Sequence, residues 1–520
     1  MDTDRSPLRH GWHVAAALIP AAFVALFFAF PLLAILERGL TSGGGLSLPA
    51  GTGGLLWFTI WQAAASTVLT LAAGLPLAWA VGRFRFRGRS LARALVLVPF
   101  VLPTVVVATA FLALLPAGYE RGIWAILAAH VFFNIAVVTR IVGGAWATID
   151  PASADAAAVL GAGPWRRARE VTLPQLAPAL SAAAALTFLF CFTSFGVILI
   201  LGGPGRATLE TEIYNRAARL FDLQAAAAHS LLQLGAVAVV LAVASILEAR
   251  AGTANTLADE RDVLRRPTGR ERIAVGAVLA VAALVLVLPL AVLVRRSLGS
   301  WGALFHETPA LLVEPWQAAV YSVAFASLAA LIALAVGGIA AVALARRPAG
   351  AVDGFVLLPL GASAVMLGFG FLIAFDEPPF DFRSAWWLVP VAQSLVAAPF
   401  VVRIVVPALR SIDPRLREVA ATLGAAPART WREVDLPLTG RAFAVAAGFA
   451  FAIALGEFGA TVFVARAEQP TLPVAIFRFL GRPGAENQGL AAALAVVLAA
   501  ITVCAALAAE RVADGRGRAL

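Results

Sequence analysis

Apolar stretches of 20 residues or more recur from end to end of this 520-residue chain. Each is long enough to cross roughly 30 Å of hydrocarbon as a helix rising about 1.5 Å per residue. Inside a bilayer no water satisfies the backbone, so only helices and closed barrels can span it. A barrel would show alternating segments of about ten residues, and the continuous Ala/Leu/Val runs do not alternate. With 61% hydrophobic and 13% charged residues and a mean hydropathy of +0.88, there is too little polar surface to cover a soluble globule of this length. The fold class is therefore all-α, a polytopic membrane protein. Spans are predicted at 12–36, 56–82, 92–115, 122–145, 179–201 and 225–248, then at 273–294, 317–344, 353–375, 385–408, 442–464 and 486–509. The stretches around Pro99 and Gly361 are places for broken or tilted helices.

The two sets of six are copies. Asp155-Ala156-Ala157, Gly161 and Leu173-Pro174 return 263 residues later as Glu418-Val419-Ala420, Gly424 and Leu436-Pro437. Arg140, Asp150-Pro151, Arg166, Arg169, Glu170 and Phe195-Gly196 keep the same register with Arg403, Asp413-Pro414, Arg429, Arg432, Glu433 and Phe458-Gly459. A repeat this long is a duplicated domain rather than a solenoid unit. The expected organisation is a first transmembrane domain over 1–248, a charged, Thr-containing linker over 249–272, and a second domain over 273–520.

All 40 basic residues are Arg. Most, including Arg83, Arg85, Arg87 and Arg89, fall on one side if both termini are cytoplasmic, and the positive-inside rule then sets the orientation. The net charge of +10 is explained by lipid headgroups and topology, with no nucleic-acid partner. The apolar run behind Arg5 and Arg9 is too long for a signal-peptide core and reads as a retained first helix. Cys191 and Cys504 sit in apolar spans and behave as small hydrophobes.

Because six spans is an even number, loops 146–178 and 409–441 share the cytoplasmic face. Each reads as helix, break, helix. Asp150-Pro151 and Asp413-Pro414 supply a cap and a first-turn proline. Gly161-Ala162-Gly163-Pro164 and Gly424-Ala425-Ala426-Pro427 stop the first helix. Leu173-Pro174 and Leu436-Pro437 are expected to end the second and turn the chain back toward the membrane.

The order acid-Ala-Ala, three residues, Gly, nine residues, aliphatic-x-Leu-Pro resembles the EAA loop of permease subunits in bacterial ATP-binding-cassette importers. Asp155 stands where the family has Glu, and Val419 where it has the first Ala. The resemblance implies two coupling helices, each seated in a groove of a separate ATPase subunit. Asp155, Ala156, Ala157 and Gly161 would form one docking knob and Glu418, Ala420 and Gly424 the other, with Leu173-Pro174 and Leu436-Pro437 closing each loop. It also implies an extracytoplasmic solute-binding protein and alternating access across the cytoplasmic membrane. Arg166, Arg169, Arg429 and Arg432 would face the ATPase or, more simply, lipid. A Walker A loop needs a lysine on the phosphates, and this chain has none. ATP is thus expected to be used by two partner subunits, with no cofactor, metal or catalytic residue of this chain's own.

Permeases of this fused form resemble the importers for thiamine or its phosphates and for ferric iron. Segment 193–233, with Phe195-Gly196, Leu201-Gly202-Gly203, Ala207-Thr208, Glu212-Ile213-Tyr214 and Phe221-Asp222, leans to thiamine; polyamine, sulfate or another small solute are alternatives. Glu457 is an acid well inside a predicted span, and its counterpart is Ser194. The pair is the candidate substrate path, with capping of a broken helix or pairing with an Arg as the other reading of Glu457. Asp376, Glu377, Asp381, Glu210 and Glu212 are placed on the outer face. His10, His13, His130, His229 and His306 have no metal-ligand spacing and are given no role. The rival class is an ion-coupled secondary transporter with duplicated halves.

Overall fold

The computed structural model describes residues 18–41, 48–150, 152–203, 205–251, 264–345, 359, 363–376 and 380–514. In the first half these form α1 (Leu18–Leu40), α2 (Thr52–Arg83), α3 (Arg89–Val101), α4 (Thr104–Leu114), α5 (Ile123–Trp146), α6 (Ala152–Val159), α7 (Pro164–Phe192), α8 (Gly196–Leu201), α9 (Leu209–Tyr214) and α10 (Leu223–Ala251). The second half gives α11 (Arg270–Ser297), α12 (Pro315–Ala345), α13 (Ala364–Ala374), α14 (Leu388–Arg410), α15 (Pro414–Thr422), α16 (Pro427–Gly456), α17 (Thr461–Val464), α18 (Leu472–Leu480) and α19 (Ala485–Asp514).

Among the described residues, 10 helices are long and apolar enough to cross a membrane, or 11 if the bent pair α3–α4 is one span. That pair is the predicted span 92–115, and it bends by 99°. The break falls at Leu102-Pro103. Pro103 has no N–H to continue the ladder, and it pushes Leu102 into the extended region with ψ 137°. Residues 353–358 and 360–362 of the predicted span 353–375, Gly361 among them, lie outside the described residues, and α13 is its described end.

Two predicted spans end earlier than expected. The span 179–201 stops at Phe192 and resumes as α8, and the span 442–464 stops at Gly456 and resumes as α17. Apolar content carried through both breaks, so hydropathy alone could not see them.

Helix crossings repeat the 263-residue register. A Cβ on Gly74 would lie 2.7 Å from a Val138 methyl, and one on Gly337 would lie 2.8 Å from the Ala398 oxygen and 3.0 Å from Val401. Lipid tails are as apolar as the side chains, so close backbone approach and van der Waals packing hold these helices together. Two polar contacts match as well. The Leu209 amide donates to the Thr59 hydroxyl at 3.2 Å, and the Leu472 amide to the Ser322 hydroxyl at 2.6 Å.

The chain divides into two compact units that are not the two sequence halves. One comprises 1–47, 213–231 and 299–520, and the other 48–212 and 232–298. In the first unit α1 packs on α13, with Val24 and Phe28 buried against Leu367, Phe371 and Phe375. Phe27 adds ring contacts at 5.9 Å to Phe375 and 6.2 Å to Trp387. A Cβ on Gly370 would come within 2.9 Å of Pro31. In the other unit α11 lies along α4 and α2, and Val275 is buried with Ala80 and Phe84. Each half thus lends its opening helix to a unit made largely from the other half.

Candidate functional site: the paired loops

Each loop is built by short-range chemistry. Asp150 Oδ1 accepts the Ala152 amide at 2.9 Å and Asp413 Oδ1 the Arg415 amide at 2.9 Å, so α6 and α15 begin on the expected caps. Both end in the same Schellman motif. Gly161 (φ 83°) and Gly424 (φ 79°) take the left-handed conformation. Around the first, the Ala162 amide bonds Ala157 O at 2.9 Å and the Gly161 amide bonds Ala158 O at 3.0 Å. Around the second, Ala425 bonds Ala420 O at 3.0 Å and Gly424 bonds Ala421 O at 3.0 Å. The sharp reversal leaves an apolar tip in the open: Val159 is 88% exposed, Leu160 87% and Leu423 82%. Asp155, Ala156 and Glu418 are exposed on the same short helices, while Ala157 and Ala420 are half-buried.

Leu173-Pro174 and Leu436-Pro437 do not end a helix. The segment starting at Pro164 runs unbroken to Phe192, and the one starting at Pro427 runs to Gly456. A π-turn at Ala168–Thr172, repeated at Trp431–Asp435, carries each chain past its proline. The Leu173 amide reaches back five residues to Ala168 O, and the Leu436 amide to Trp431 O. Widening the turn by one residue lets the ladder tolerate a ring with no N–H. Each tip is therefore followed, after a short break, by one continuous helix long and apolar enough to cross the membrane. Arg166 and Arg429 pair with Glu170 at 2.9 Å and Glu433 at 3.0 Å one turn along the same helix.

The loops are pinned in different ways, which sequence reading missed. In the second, Arg417 Nε donates to the buried carboxylate of Asp435 at 2.7 Å, and its Nη2 to Leu409 O at 3.2 Å. The corresponding positions in the first are Ala154 and Thr172. There Gln175 Nε2 instead donates to Ser153 Oγ at 3.0 Å, where the second loop has Leu438 and Leu416. Asp435→Asn leaves Arg417 without its counter-charge and is expected to cost about 3 kcal/mol, the low end for breaking a buried pair. Limited proteolysis should then cut the second loop well before the first. Equal cutting of both loops would show the pin to be unimportant.

Asp155 lines a cavity of 180 Å³ with Arg83, Trp146, Ser153, Gln175 and Arg265. Arg265 is anchored beside it: the Arg85 amide donates to Arg265 O at 2.9 Å, and the Arg265 guanidinium lies 5.0 Å from the Phe84 ring centroid. Its hydrogen bonds to Glu271, with the charges of Glu271 and Asp155 behind them, hold that guanidinium above its ordinary pKa. Residues 252–263 of the predicted linker lie outside the described residues.

Glu457 and Ser194 occupy the breaks after the two long helices. The Glu457 carboxyl is buried and accepts the Ala460 amide at 2.7 Å, the Thr461 amide at 2.9 Å and the Thr461 hydroxyl. It is the cap that starts α17. Ser194 Oγ is joined to His130 Nε2 at 2.9 Å, so His130, given no role by spacing, holds the equivalent break. Of the acids placed on the outer face, Glu210 is buried and accepts from Gln233 Nε2 at 2.9 Å. Asp376 pairs with Arg383 at 2.7 Å, and Glu377 lies outside the described residues. Among the described residues no group of three or more His, Cys, Asp or Glu could hold a metal ion.

Comparison with known proteins agrees with this architecture. The family model for the binding-protein-dependent transport system inner membrane component matches residues 74–299 and again 333–516. The thiamine transport system permease protein ThiP of Brucella abortus is 30% identical over 529 residues, covering 96% of this chain and 95% of that protein. Its Escherichia coli namesake is 28% identical over 539 residues, covering 96% of each. A probable ABC transporter permease protein of Sinorhizobium fredii is 25% identical over 554 residues, again covering 96% of each. A solved Vibrio cholerae MATE transporter superposes with a TM-score of 0.17 at 15% identity, over 90% of this chain and 99% of that one, too loosely to compare folds. With the family pattern found twice along its length, the chain belongs to the binding-protein-dependent transport system inner membrane components.

Proposed function

We propose that this chain is the fused permease of an ABC importer that carries thiamine or its phosphates across the cytoplasmic membrane. Two separate ATPase subunits drive it, each gripping one loop on the cytoplasmic face, where both termini also lie. A solute-binding protein delivers cargo from the other side. The observation that carries the reading is the repeated Schellman knob, with Leu160 and Leu423 bare at the tips and a continuous helix leading from each loop into the membrane. ATP-bound closure of the motors would press on both tips, and each lever would transmit the movement to the helices packed on α7 and α16. Thiamine is favoured as cargo because full-length relatives at 28–30% identity bear that title.

Reconstitution with the ATPase and binding protein tests this. Labelled thiamine should accumulate in proteoliposomes only when ATP, both partners and this chain are present. Leu160→Asp with Leu423→Asp should remove the ATPase from the purified complex, because each tip must be dehydrated to dock and a carboxylate resists that. Accumulation that persists without the ATPase and collapses with an ionophore would instead identify a secondary transporter.

A further inference from the structure

In the unit comprising 48–212 and 232–298, the crossing of α2, α5 and α7 encloses six polar side chains: Gln62, Ser66, His130, Asn134, Thr187 and Ser194, all buried. Gln62 and Ser66 lie roughly 15–21 Å along α2 at about 1.5 Å per residue, well inside the hydrocarbon. His130 on α5 joins Ser66 on α2 to Ser194 in the break after α7, with Nδ1 3.0 Å from Ser66 Oγ and Nε2 2.9 Å from Ser194 Oγ.

Helix packing does not require this polarity. In the second copy the same register places Phe325, Ala329, Gln393, Ala397, Ala450 and Glu457. Four of the six positions are apolar there, although the same glycine approach builds that crossing. Polar side chains at this depth are costly and tend to be functional. The first copy is the more polar of the two at these positions, although Gln393, whose carbonyl oxygen also has no partner among the described residues, and Glu457 keep buried polarity in the second.

The unmet capacity has a definite chemical sense. Gln62 Nε2 donates to Thr59 O at 3.1 Å and to Cys191 O at 2.9 Å, so its amide cannot be turned around. Asn134 Nδ2 is likewise committed, to His130 O at 3.0 Å and Cys191 Sγ at 3.4 Å. What remains is Gln62 Oε1, Asn134 Oδ1 and Thr187 Oγ1, all buried and with no partner among the described residues. Two carbonyl oxygens call for a ligand that donates N–H groups. Being uncharged, they tolerate a cation without trapping it, as a carboxylate would.

We propose that this cluster is the membrane-embedded specificity site, and that it takes an amino-substituted nitrogen heterocycle whose N–H groups donate to Gln62 Oε1 and Asn134 Oδ1. The inference rests on the importer reading above and adds to it which half selects. The site is closed in this conformation and is reached when α2, α5 and α7 part during the cycle. His130 positions Ser194 at the end of α7, tying the site to the lever.

The test uses the complete complex in proteoliposomes, with thiamine and its analogue bearing a ring carbonyl in place of the amine. Gln62→Phe and Asn134→Ala install residues that the second copy already carries at the same crossing. Each should raise the KM for thiamine about ten-fold, the value of one hydrogen bond near the upper end of the usual range. Each should also erase most of the preference for thiamine over the carbonyl analogue, a change that a purely structural role would not produce. Thiamine uptake by the wild type, with KM and preference unchanged in both variants or uptake falling only in proportion to assembled complex, overturns the inference alone. No thiamine uptake by the wild type overturns both this inference and the substrate reading beneath it.

Discussion

Replacing Gly161 and Gly424 together with proline is expected to release the ATPase subunits from the complex while the chain still inserts into the membrane. Both glycines hold a left-handed φ, 83° and 79°, and proline is fixed near −65°. Proline also removes the amides that bond Ala158 O and Ala421 O at 3.0 Å. The combined penalty is about 3 kcal/mol or more per loop, roughly a hundred-fold in docking affinity at each tip. Replacement by Asn, which tolerates the left-handed region, should keep most of the binding. Co-purification of the ATPase with the purified permease is the measurement. An intact complex from the double proline variant would mean the reversal at each tip is not what the motor reads.

Glu457→Gln should lose assembled protein and transport in parallel. The carboxyl uses both oxygens, accepting two amides and a hydroxyl at the start of α17. Glutamine keeps one oxygen and turns an NH2 toward a donor, leaving at least one buried amide unanswered. Such a loss costs on the order of 3 kcal/mol where no water can substitute. Thermal stability of the purified complex should fall, and uptake per assembled complex should stay near the wild-type value. Unchanged stability with uptake per complex sharply reduced would assign Glu457 to the substrate path instead.

How much could be read beforehand follows from the range of each interaction. The two knobs were legible because caps and Schellman turns are decided by near neighbours, all within Asp150 to Ala162 and within Asp413 to Ala425. The duplication was legible as register, and it proves deeper than the quoted motifs, reaching Thr59–Leu209 and Ser322–Leu472. Leu173-Pro174 and Leu436-Pro437 misled because a helix-breaking rule is local, whereas a π-turn one step upstream absorbs the proline. His130 looked idle because its partners Ser66 and Ser194 each stand 64 residues away. Glu210 looked solvated because its partner Gln233 stands 23 residues away. Arg417–Asp435 gave a faint signal, an acid inside the second π-turn where the first has Thr172, but nothing in the spacing named its partner.

The seating of α1 on α13 has a consequence for synthesis. Pro31 cannot meet Gly370 until 339 more residues have been made. At about 5–20 residues per second, that is a wait of roughly 20 to 70 s. Through that interval the Phe27, Phe28 and Phe30 face of the first span must be sheltered by lipid or by insertion machinery. A ribosome that stalls in the second half would leave behind a membrane fragment with an unclaimed aromatic face, a ready signal for quality control. Joining the halves in one chain means that the helix left waiting and the helices that relieve it arrive in equal number and from the same ribosome.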